Sequence, residues 1–368
     1  MDQTISSLPV VDLDIFLKEI NSPEARQQAQ NTADALVRYG ALVVKDSRVT
    51  EADNEQFLDL LEDYFAQPQE ELKRDERQEY GYQVGVTLEN TERPKCASDD
   101  SCLKVIEKLA PSERPLDILG HNADPKCRFF WKMQTSPPYE TKFPSLNMPN
   151  VVPRHFADVW QTRLETWGKA MKQAVEGVAQ MAAIGLGLDQ NIFTDAGRYG
   201  PHLLAPTASD LGRYGEKDTI LAGFHTDLNF LTIHGRSRYP GLHIWARNTG
   251  NRIAVKVPPG QYLLVQAGKQ LEHITGGFIK AGYHEVVVNQ ATITAVERTR
   301  RERSERPLIR ISSTFFWHLS SDYELAPIES LKSVAELGAK DEELQIYPPM
   351  LVGQQVQNEL KHIALLVQ

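Results

Sequence analysis

The sequence is most informative over residues 223–233, which read GFHTDLNFLTI. Because residues i and i+2 of a β-strand point to the same face of a sheet, His225 and Asp227 present an imidazole and a carboxylate side by side. Two such groups hold a metal ion weakly, so a metal site here needs a third ligand from another strand. The downstream histidines that qualify are His234, His243, His273 and His284. Taken alone, the pattern favours a structural histidine beside a turn aspartate.

The region around this stretch, residues 200–325, alternates short β-rich runs with glycine and proline turns. The runs lie at residues 231–233, 242–245, 253–257, 262–265, 285–288, 291–294 and 309–316. Many short strands at close spacing predict a sandwich, a barrel or a jelly roll.

Helices are predicted on the N-terminal side of this region. Ser22 can cap a helix that has Pro23 in its first turn and ends at Gly40. Residues 41–44 follow as a buried strand, and Thr50 opens a second helix.

The longest predicted helix carries an apolar stripe from Val159 to Ala182 and ends at Gly185 and Gly187. Residues 66–150 are interpreted as loops with short elements. A terminal helix is predicted over residues 354–366.

The composition is that of an ordinary globular protein, with 41% apolar and 24% charged residues. A net charge of −9 argues against a nucleic-acid partner. We also expect no membrane partner, because no apolar run approaches the roughly 18 residues of a membrane helix. The N-terminus lacks the pattern of a signal peptide. The three cysteines, Cys96, Cys102 and Cys127, are interpreted as free thiols, which favours a cytoplasmic location.

An arginine-rich stretch lies at residues 297–306 and holds five arginines and three glutamates. We interpret it as a solvated loop or helix face, although an anion or partner contact is the alternative.

A series of motifs resembles the isopenicillin N synthase-like family of Fe(II)/2-oxoglutarate-dependent dioxygenases. The matching segments follow in order at residues 9–13, 39–40, 79–82, 224–233, 240–244, 255–260, 264–268, 275–277 and 284–286. Two histidines and one carboxylate on one face of an octahedral ion leave the opposite face open, and such facial triads serve non-haem Fe(II) oxygenases. The resemblance implies that His225, Asp227 and His284 bind the metal. His234, His243 and His273 are then interpreted as non-ligands, although His234 and His243 remain candidates for the barrel lining.

The resemblance also implies that Arg310 and Ser312 bind the cosubstrate, because the family carries an Arg-x-Ser pair on its last core strand. A guanidinium fork binds a carboxylate in two places, and a neighbouring hydroxyl adds a hydrogen bond. The family's Asn-x-Tyr segment falls at residues 202–207, where this chain has no tyrosine. Four residues flanking the ligands are interpreted as substrate contacts: Phe224, Asn229, Phe230 and Phe315.

The resemblance implies a mixed α and β fold whose double-stranded β-helix, or jelly-roll, core is wrapped by N-terminal and C-terminal helices. We divide the chain into a mainly helical region (residues 1–195), the core (196–325) and a C-terminal helical extension (326–368). The expected activity is oxidation of a small organic molecule by hydroxylation, desaturation or ring closure. It would use Fe(II), 2-oxoglutarate and O₂, release succinate and CO₂, and accept ascorbate as a reductant. The alternatives are an Fe(II) oxidase of the same family without 2-oxoglutarate and an inactive jelly-roll binding protein.

Overall fold

Helices and strands alternate in the first half of the chain, and strands dominate after residue 200. The computed structural model describes residues 7–93, 96, 99–116, 123–338 and 345–362. Its helices are α1 (Leu13–Lys18), α2 (Pro23–Tyr39), α3 (Glu51–Phe65), α4 (Gln69–Lys73), α5 (Asp100–Lys108), α6 (Trp160–Gly185), α7 (Ile192–Ala196), α8 (Leu211–Tyr214), α9 (Lys269–Ile274), α10 (Gln290–Glu302), α11 (Glu329–Gly338) and α12 (Val352–His362). Its strands are β1 (Val10–Asp12), β2 (Ala41–Lys45), β3 (Gly85–Thr87), β4 (Cys127–Lys132), β5 (Leu203–Leu204), β6 (Thr207–Asp210), β7 (Ile220–His225), β8 (Leu231–His234), β9 (Leu242–Trp245), β10 (Arg252–Ala254), β11 (Tyr262–Ala267), β12 (Tyr283–Val287), β13 (Ile309–Ser312), β14 (Thr314–Trp317), β15 (Glu324–Leu325) and β16 (Met350–Leu351).

Two sheets form the core. The larger has the order β1-β2-β11-β8-β14-β5-β4-β6-β13, with β3 beside β4, and the smaller has the order β10-β9-β12-β7. Neighbouring strands are antiparallel except β1 and β2. This architecture confirms the predicted mixed α and β class with a jelly-roll core. Because β2 pairs with β11, the N-terminal region supplies strands to the core sheet. The division at residues 195 and 325 stays a prediction.

The helix boundaries predicted in the N-terminal region of the chain are confirmed. The Ser22 side chain caps α2 by accepting a hydrogen bond from the Ala25 N–H, and Thr50 caps α3 in the same way. Gly40 ends α2 in the left-handed conformation, with a φ of 67°, which turns the chain directly into β2.

Helix α6 confirms the longest predicted helix, and it packs against the larger sheet. It packs on α2 and on strands β8 and β14. Its Trp167 indole N–H donates to the Ser313 hydroxyl over 2.7 Å. Ser313 is the break between β13 and β14, which the sequence presented as one run. Because of this break β13 pairs with β6, while β14 pairs with β8 and β5.

The strand prediction at residues 291–294 is wrong, because these residues lie in α10. Asn289 caps that helix, and the Thr292 side chain bonds back to the Asn289 backbone. Thr292 is therefore used for capping, which overrides the strand preference of the β-branched residues.

The free-thiol prediction is wrong for Cys96 and Cys102, which form a disulfide. Cys127 is free, and burial raises the pKa of its thiol to about 12. Because Cys96 and Cys102 form a disulfide, the number of cysteines is no longer an argument for a reducing compartment.

The last predicted helix corresponds to α12, and residues 363–368 lie outside the described residues. None of the helices in the described ranges is long and apolar enough to cross a membrane.

Candidate metal centre and cosubstrate site

The predicted metal ligands meet on the smaller sheet. Strands β7 and β12 pair in a register that places His284 directly opposite His225, and Asp227 follows the end of β7. The Nε2 atoms of His225 and His284 each lie 3.8 Å from Asp227 Oδ1. The three ligand atoms lie within 4.8 Å of one another. A single cross-strand pair and a turn thus assemble a His-Asp-His group.

Contacts behind this group orient all three side chains. The Nδ1 atom of His225 lies 2.7 Å from the Gly223 carbonyl oxygen, and the Nδ1 atom of His284 lies 3.4 Å from that of Gly282. The Thr232 hydroxyl donates to Asp227 Oδ2 over 2.6 Å, whereas the histidine nitrogens lie nearest to Oδ1. With each Nδ1–H directed at a carbonyl, the Nε2 lone pairs face Asp227 Oδ1, which is the arrangement that a bound metal requires.

The charge states of these groups fit a divalent cation. Burial, followed by the charge of His284, lowers the pKa of His225 to about 4, so its imidazole is neutral at pH 7. Burial opposes ionisation of Asp227, but the two histidines and the Thr232 hydroxyl lower the pKa of its carboxyl overall. Two imidazole nitrogens and one carboxylate oxygen on one face form the ligand set of non-haem Fe(II) sites.

Arg310 and Ser312 lie on β13 of the larger sheet and line the same cavity as the metal ligands. Arg310 is 5% exposed, and burial lowers the pKa of its guanidinium to about 10. Its Nη1 donates to the Ser312 hydroxyl over 2.6 Å. Within the described ranges, no carboxylate forms an ion pair with it. A buried cation of this kind is suited to an anionic ligand.

The cavity between the two ends has a volume of about 180 Å³ and a largely apolar wall. Its apolar lining includes Phe130, Leu203, Leu221, Leu242, Val286, Phe316, Val356 and Leu360. Leu203 and Thr207 line it from the stretch in which the family's tyrosine is missing.

Of the four predicted substrate contacts, Asn229 alone lines the cavity. Phe224 instead stacks on Tyr283 at a ring distance of 4.5 Å, on the opposite face of β7 from His225. Phe230 and Phe315 are fully buried in the hydrophobic core. None of these three side chains lines the cavity, and their contact with substrate stays a prediction. For Phe224 the reason is that neighbours in sequence on a strand face opposite sides of the sheet.

Several cavity residues were missed by the sequence reasoning. Strand alternation from Arg310 and Ser312 would have found Thr314 and Phe316. His234 also lines the cavity, whereas His243 and His273 are not among its lining residues. Arg128 and His318 carry no sequence signal that points to the site, because they come from stretches with no recognised motif.

Comparisons with known proteins agree with this geometry. Residues 193–319 match the model of the 2OG-Fe(II) oxygenase superfamily. Flavonol synthase/flavanone 3-hydroxylase of Petunia hybrida is 26% identical over 173 residues, which are 46% of this chain and 44% of that protein. The match thus spans less than half the length of this curated relative.

Solved structures share the fold over nearly the whole chain. A 2OG-Fe(II) oxygenase family protein from Caulobacter crescentus has a TM-score of 0.70 and 21% identity, covering 97% of this chain and 99% of its own. A full-length Neurospora crassa protein, solved in complex with alpha-KG, has a TM-score of 0.70 and 16% identity, covering 98% of both chains. The solved structures confirm the predicted fold. The match at residues 193–319 agrees with the predicted dioxygenase family, its enzyme class and its Fe(II) and 2-oxoglutarate cofactors.

Proposed function

We propose that the protein is an Fe(II)- and 2-oxoglutarate-dependent oxygenase that hydroxylates a small organic molecule. The observation that carries the proposal is one cavity with a His-Asp-His group at one end and, at the other, a buried Arg310 that no described carboxylate pairs with. A dicarboxylate that reaches from a metal to an arginine fits those two ends. When bound, Fe(II) and 2-oxoglutarate supply the oxidising chemistry, with succinate and CO₂ as products.

The chain's own residues hold the geometry of this reaction. His225, Asp227 and His284 would bind the metal through Nε2, Oδ1 and Nε2, while Thr232 keeps the carboxylate oriented. Arg310 and Ser312 would hold the distal carboxylate of 2-oxoglutarate. The apolar wall limits the access of water to the reacting centre.

A buried group of ion pairs lines the cavity next to β7, the strand that carries His225. Lys126 Nζ lies 2.6 Å from Asp124 and 3.3 Å from Glu92, and Arg128 pairs with Glu92. Asp124 also accepts a hydrogen bond from the Gly223 N–H, two residues before His225. This group fixes the wall that faces the metal ligands.

Arg128 is the member that we assign to substrate binding. Its guanidinium carbon lies 4.0 Å from the centre of the Phe130 ring, and its buried Nε–H has no hydrogen-bond partner among the described residues. Two acidic and two basic side chains already balance in this group. We therefore propose a neutral acceptor, such as a carbonyl oxygen, as the substrate group that Arg128 contacts, with Phe130 and Phe316 against the apolar body.

Anaerobic titration tests the proposal directly. Metal-free protein receives Fe(II) and then 2-oxoglutarate, and we expect a metal-to-ligand charge-transfer band that saturates with 2-oxoglutarate. His225→Ala is expected to lose the band. His243→Ala is the matched control, since His243 lies on the same sheet outside the cavity, and it should keep the band.

The outcomes separate the alternatives. Binding of Fe(II) without a 2-oxoglutarate band would contradict the proposal in favour of an oxidase that needs no cosubstrate. Failure to bind Fe(II) would favour a binding protein. Succinate formed per O₂ consumed, measured with small neutral carbonyl compounds, then identifies the substrate class.

A further inference from the structure

His234 lines the same cavity as the metal ligands and the Arg310–Ser312 pair. It ends strand β8, and its cross-strand partner in β14 is Thr314. Both residues line the cavity together with Arg310 and Ser312. A histidine and a threonine thus stand among the residues that face the distal carboxylate.

Both ring nitrogens of His234 have partners. Its Nδ1 lies 3.1 Å from the Thr314 hydroxyl oxygen, and its Nε2 lies 2.9 Å from the amide nitrogen of Gln266. Burial lowers the pKa of His234 to about 3, so the ring is neutral and carries a single N–H. One ring nitrogen therefore donates and the other accepts.

The Gln266 side chain decides which nitrogen carries the proton. Its amide N–H₂ donates to Nε2, which makes Nε2 the acceptor and places the proton on Nδ1. The Gln266 carbonyl oxygen is buried without a hydrogen-bond partner in the described part of the chain. Rotating the amide would bury an unpaired N–H₂ group instead, and unsatisfied donors are rarer in protein interiors than unsatisfied carbonyl oxygens.

The tautomer sets the direction of the Thr314 hydroxyl. Because Nδ1–H donates to Thr314 Oγ1, the threonine proton has to point elsewhere. The nearest hydrogen-bonded protein acceptor is the Ser312 carbonyl oxygen at 3.4 Å, which is long for a hydroxyl donor. Arg310 acts on Ser312 in the same way, because Nη1 donates to the Ser312 hydroxyl oxygen and leaves its proton free.

We propose that Gln266 and His234 are positioning residues that direct the Thr314 hydroxyl at the distal carboxylate of 2-oxoglutarate, as a third donor beside Arg310 and Ser312. This proposal rests on the function proposed above. A carboxylate offers about four acceptor sites, so an arginine and two hydroxyls can bind it together. Each hydroxyl is held as a donor by a group behind it, Arg310 for Ser312 and His234 for Thr314.

The test compares 2-oxoglutarate affinities of Fe(II)-loaded variants, read anaerobically from the charge-transfer band. Thr314→Val keeps the shape of the side chain and removes the hydroxyl, and we expect binding about tenfold weaker, as for a lost hydrogen bond to a charged group. Thr314→Ser keeps the hydroxyl and is expected to bind within about twofold of the wild type.

His234→Leu is expected to weaken binding by a similar factor, because the Thr314 proton loses its direction. The double variant His234→Leu/Thr314→Val should bind no more weakly than Thr314→Val, since both changes remove one donor. Pyruvate lacks the distal carboxylate, so all variants should bind it with the same affinity as the wild type. This readout separates a positioning role from general damage to the site.

The results that overturn the proposal are distinct from those that overturn the function. A wild-type band that Thr314→Val leaves unchanged, losses that add in the double variant, or an equal loss of pyruvate binding each reject the role of Thr314. A wild type that binds Fe(II) but gives no 2-oxoglutarate band rejects the proposed function and this proposal with it. If His234→Leu does not fold, the Thr314→Val and Thr314→Ser pair still decides.

Discussion

Two arginines that stand four residues apart have opposite surroundings. Arg310 points into the cavity, and no carboxylate of the described residues pairs with it. Arg306 faces α3 and forms ion pairs with Asp59, Glu62 and Asp63. In the sequence, Arg306 ends the arginine-rich stretch at residues 297–306, and Arg310 belongs to the Arg-x-Ser pair that follows it.

The difference shows in the pKa of each guanidinium. Burial lowers the pKa of Arg310 to about 10, because no acidic group among the described residues compensates for the loss of water. Burial also opposes the charge of Arg306, but Glu62 and its acidic neighbours raise the pKa of that group. A buried charge without a counter-ion costs free energy, so Arg310 indicates a place for a ligand and Arg306 a structural contact.

The largest expected effect comes from exchanging each arginine for methionine. Arg310→Met should weaken 2-oxoglutarate binding by roughly 30- to several-thousand-fold, because loss of a buried charged partner costs about 2–5 kcal/mol. Affinity for Fe(II) should stay unchanged. The charge-transfer titration measures the first quantity, and Fe(II) binding without cosubstrate measures the second.

Arg306→Met is the matched control, and we expect it to affect stability instead of 2-oxoglutarate binding. It should leave 2-oxoglutarate affinity unchanged and lower the free energy of unfolding by about 1–3 kcal/mol, because the buried Glu62 loses a partner. Arg310→Met should not destabilise the ligand-free protein, since it removes an uncompensated buried cation. Equal effects of the two variants on 2-oxoglutarate binding would contradict the assignment of Arg310 to ligand binding and of Arg306 to a structural contact.

An effect of intermediate size is expected at the metal end of the cavity, where the measured quantity is the affinity for Fe(II). Thr232→Val removes the hydrogen bond to Asp227 Oδ2 and keeps the side-chain shape. We expect Fe(II) affinity to fall by about 10- to 100-fold, as for other groups that orient a metal ligand. Competition with a chromogenic chelator measures this.

Thr314→Val is the control for that experiment, because Thr314 lies at the carboxylate end and should not influence Fe(II) affinity. If Thr232→Val binds Fe(II) like the wild type, the carboxylate needs no support from the threonine. The two valine variants together show whether the ends of the cavity act independently.

The metal end was predictable from the sequence and the carboxylate end only in part. His225 and Asp227 are close in sequence, and the family resemblance supplied His284, which the structure places opposite His225. The resemblance also supplied Arg310 and Ser312, through the Arg-x-Ser pair of the family. Within each pair, His225 with Asp227 and Arg310 with Ser312, the residues are two positions apart, and a sequence displays this spacing directly.

The rest depends on which strands become neighbours. Gln266, His234 and Thr314 lie on β11, β8 and β14, and their contact follows from the order of strands in the larger sheet. The order follows in part from the break at Ser313, which no turn residue signals. Phe315 differs from these residues, because the alternation from Arg310 and Ser312 already indicates that Phe316 faces the cavity and that Phe315 faces the core.

The smallest expected effect belongs to Arg303, at the exposed edge of the α3 network. Its Nη2 lies 3.3 Å from Asp59 Oδ1, and the two side chains are 42% and 43% exposed. Arg303→Ala should lower the free energy of unfolding by about 0–1 kcal/mol, because water screens the pair and Asp59 keeps Arg238 as a partner. Urea unfolding at low salt and at about 1 M NaCl measures the change, which salt should abolish. A larger, salt-independent loss, or a change in 2-oxoglutarate affinity, would mean that exposure and pairing do not separate structural arginines from ligand-binding ones in this protein.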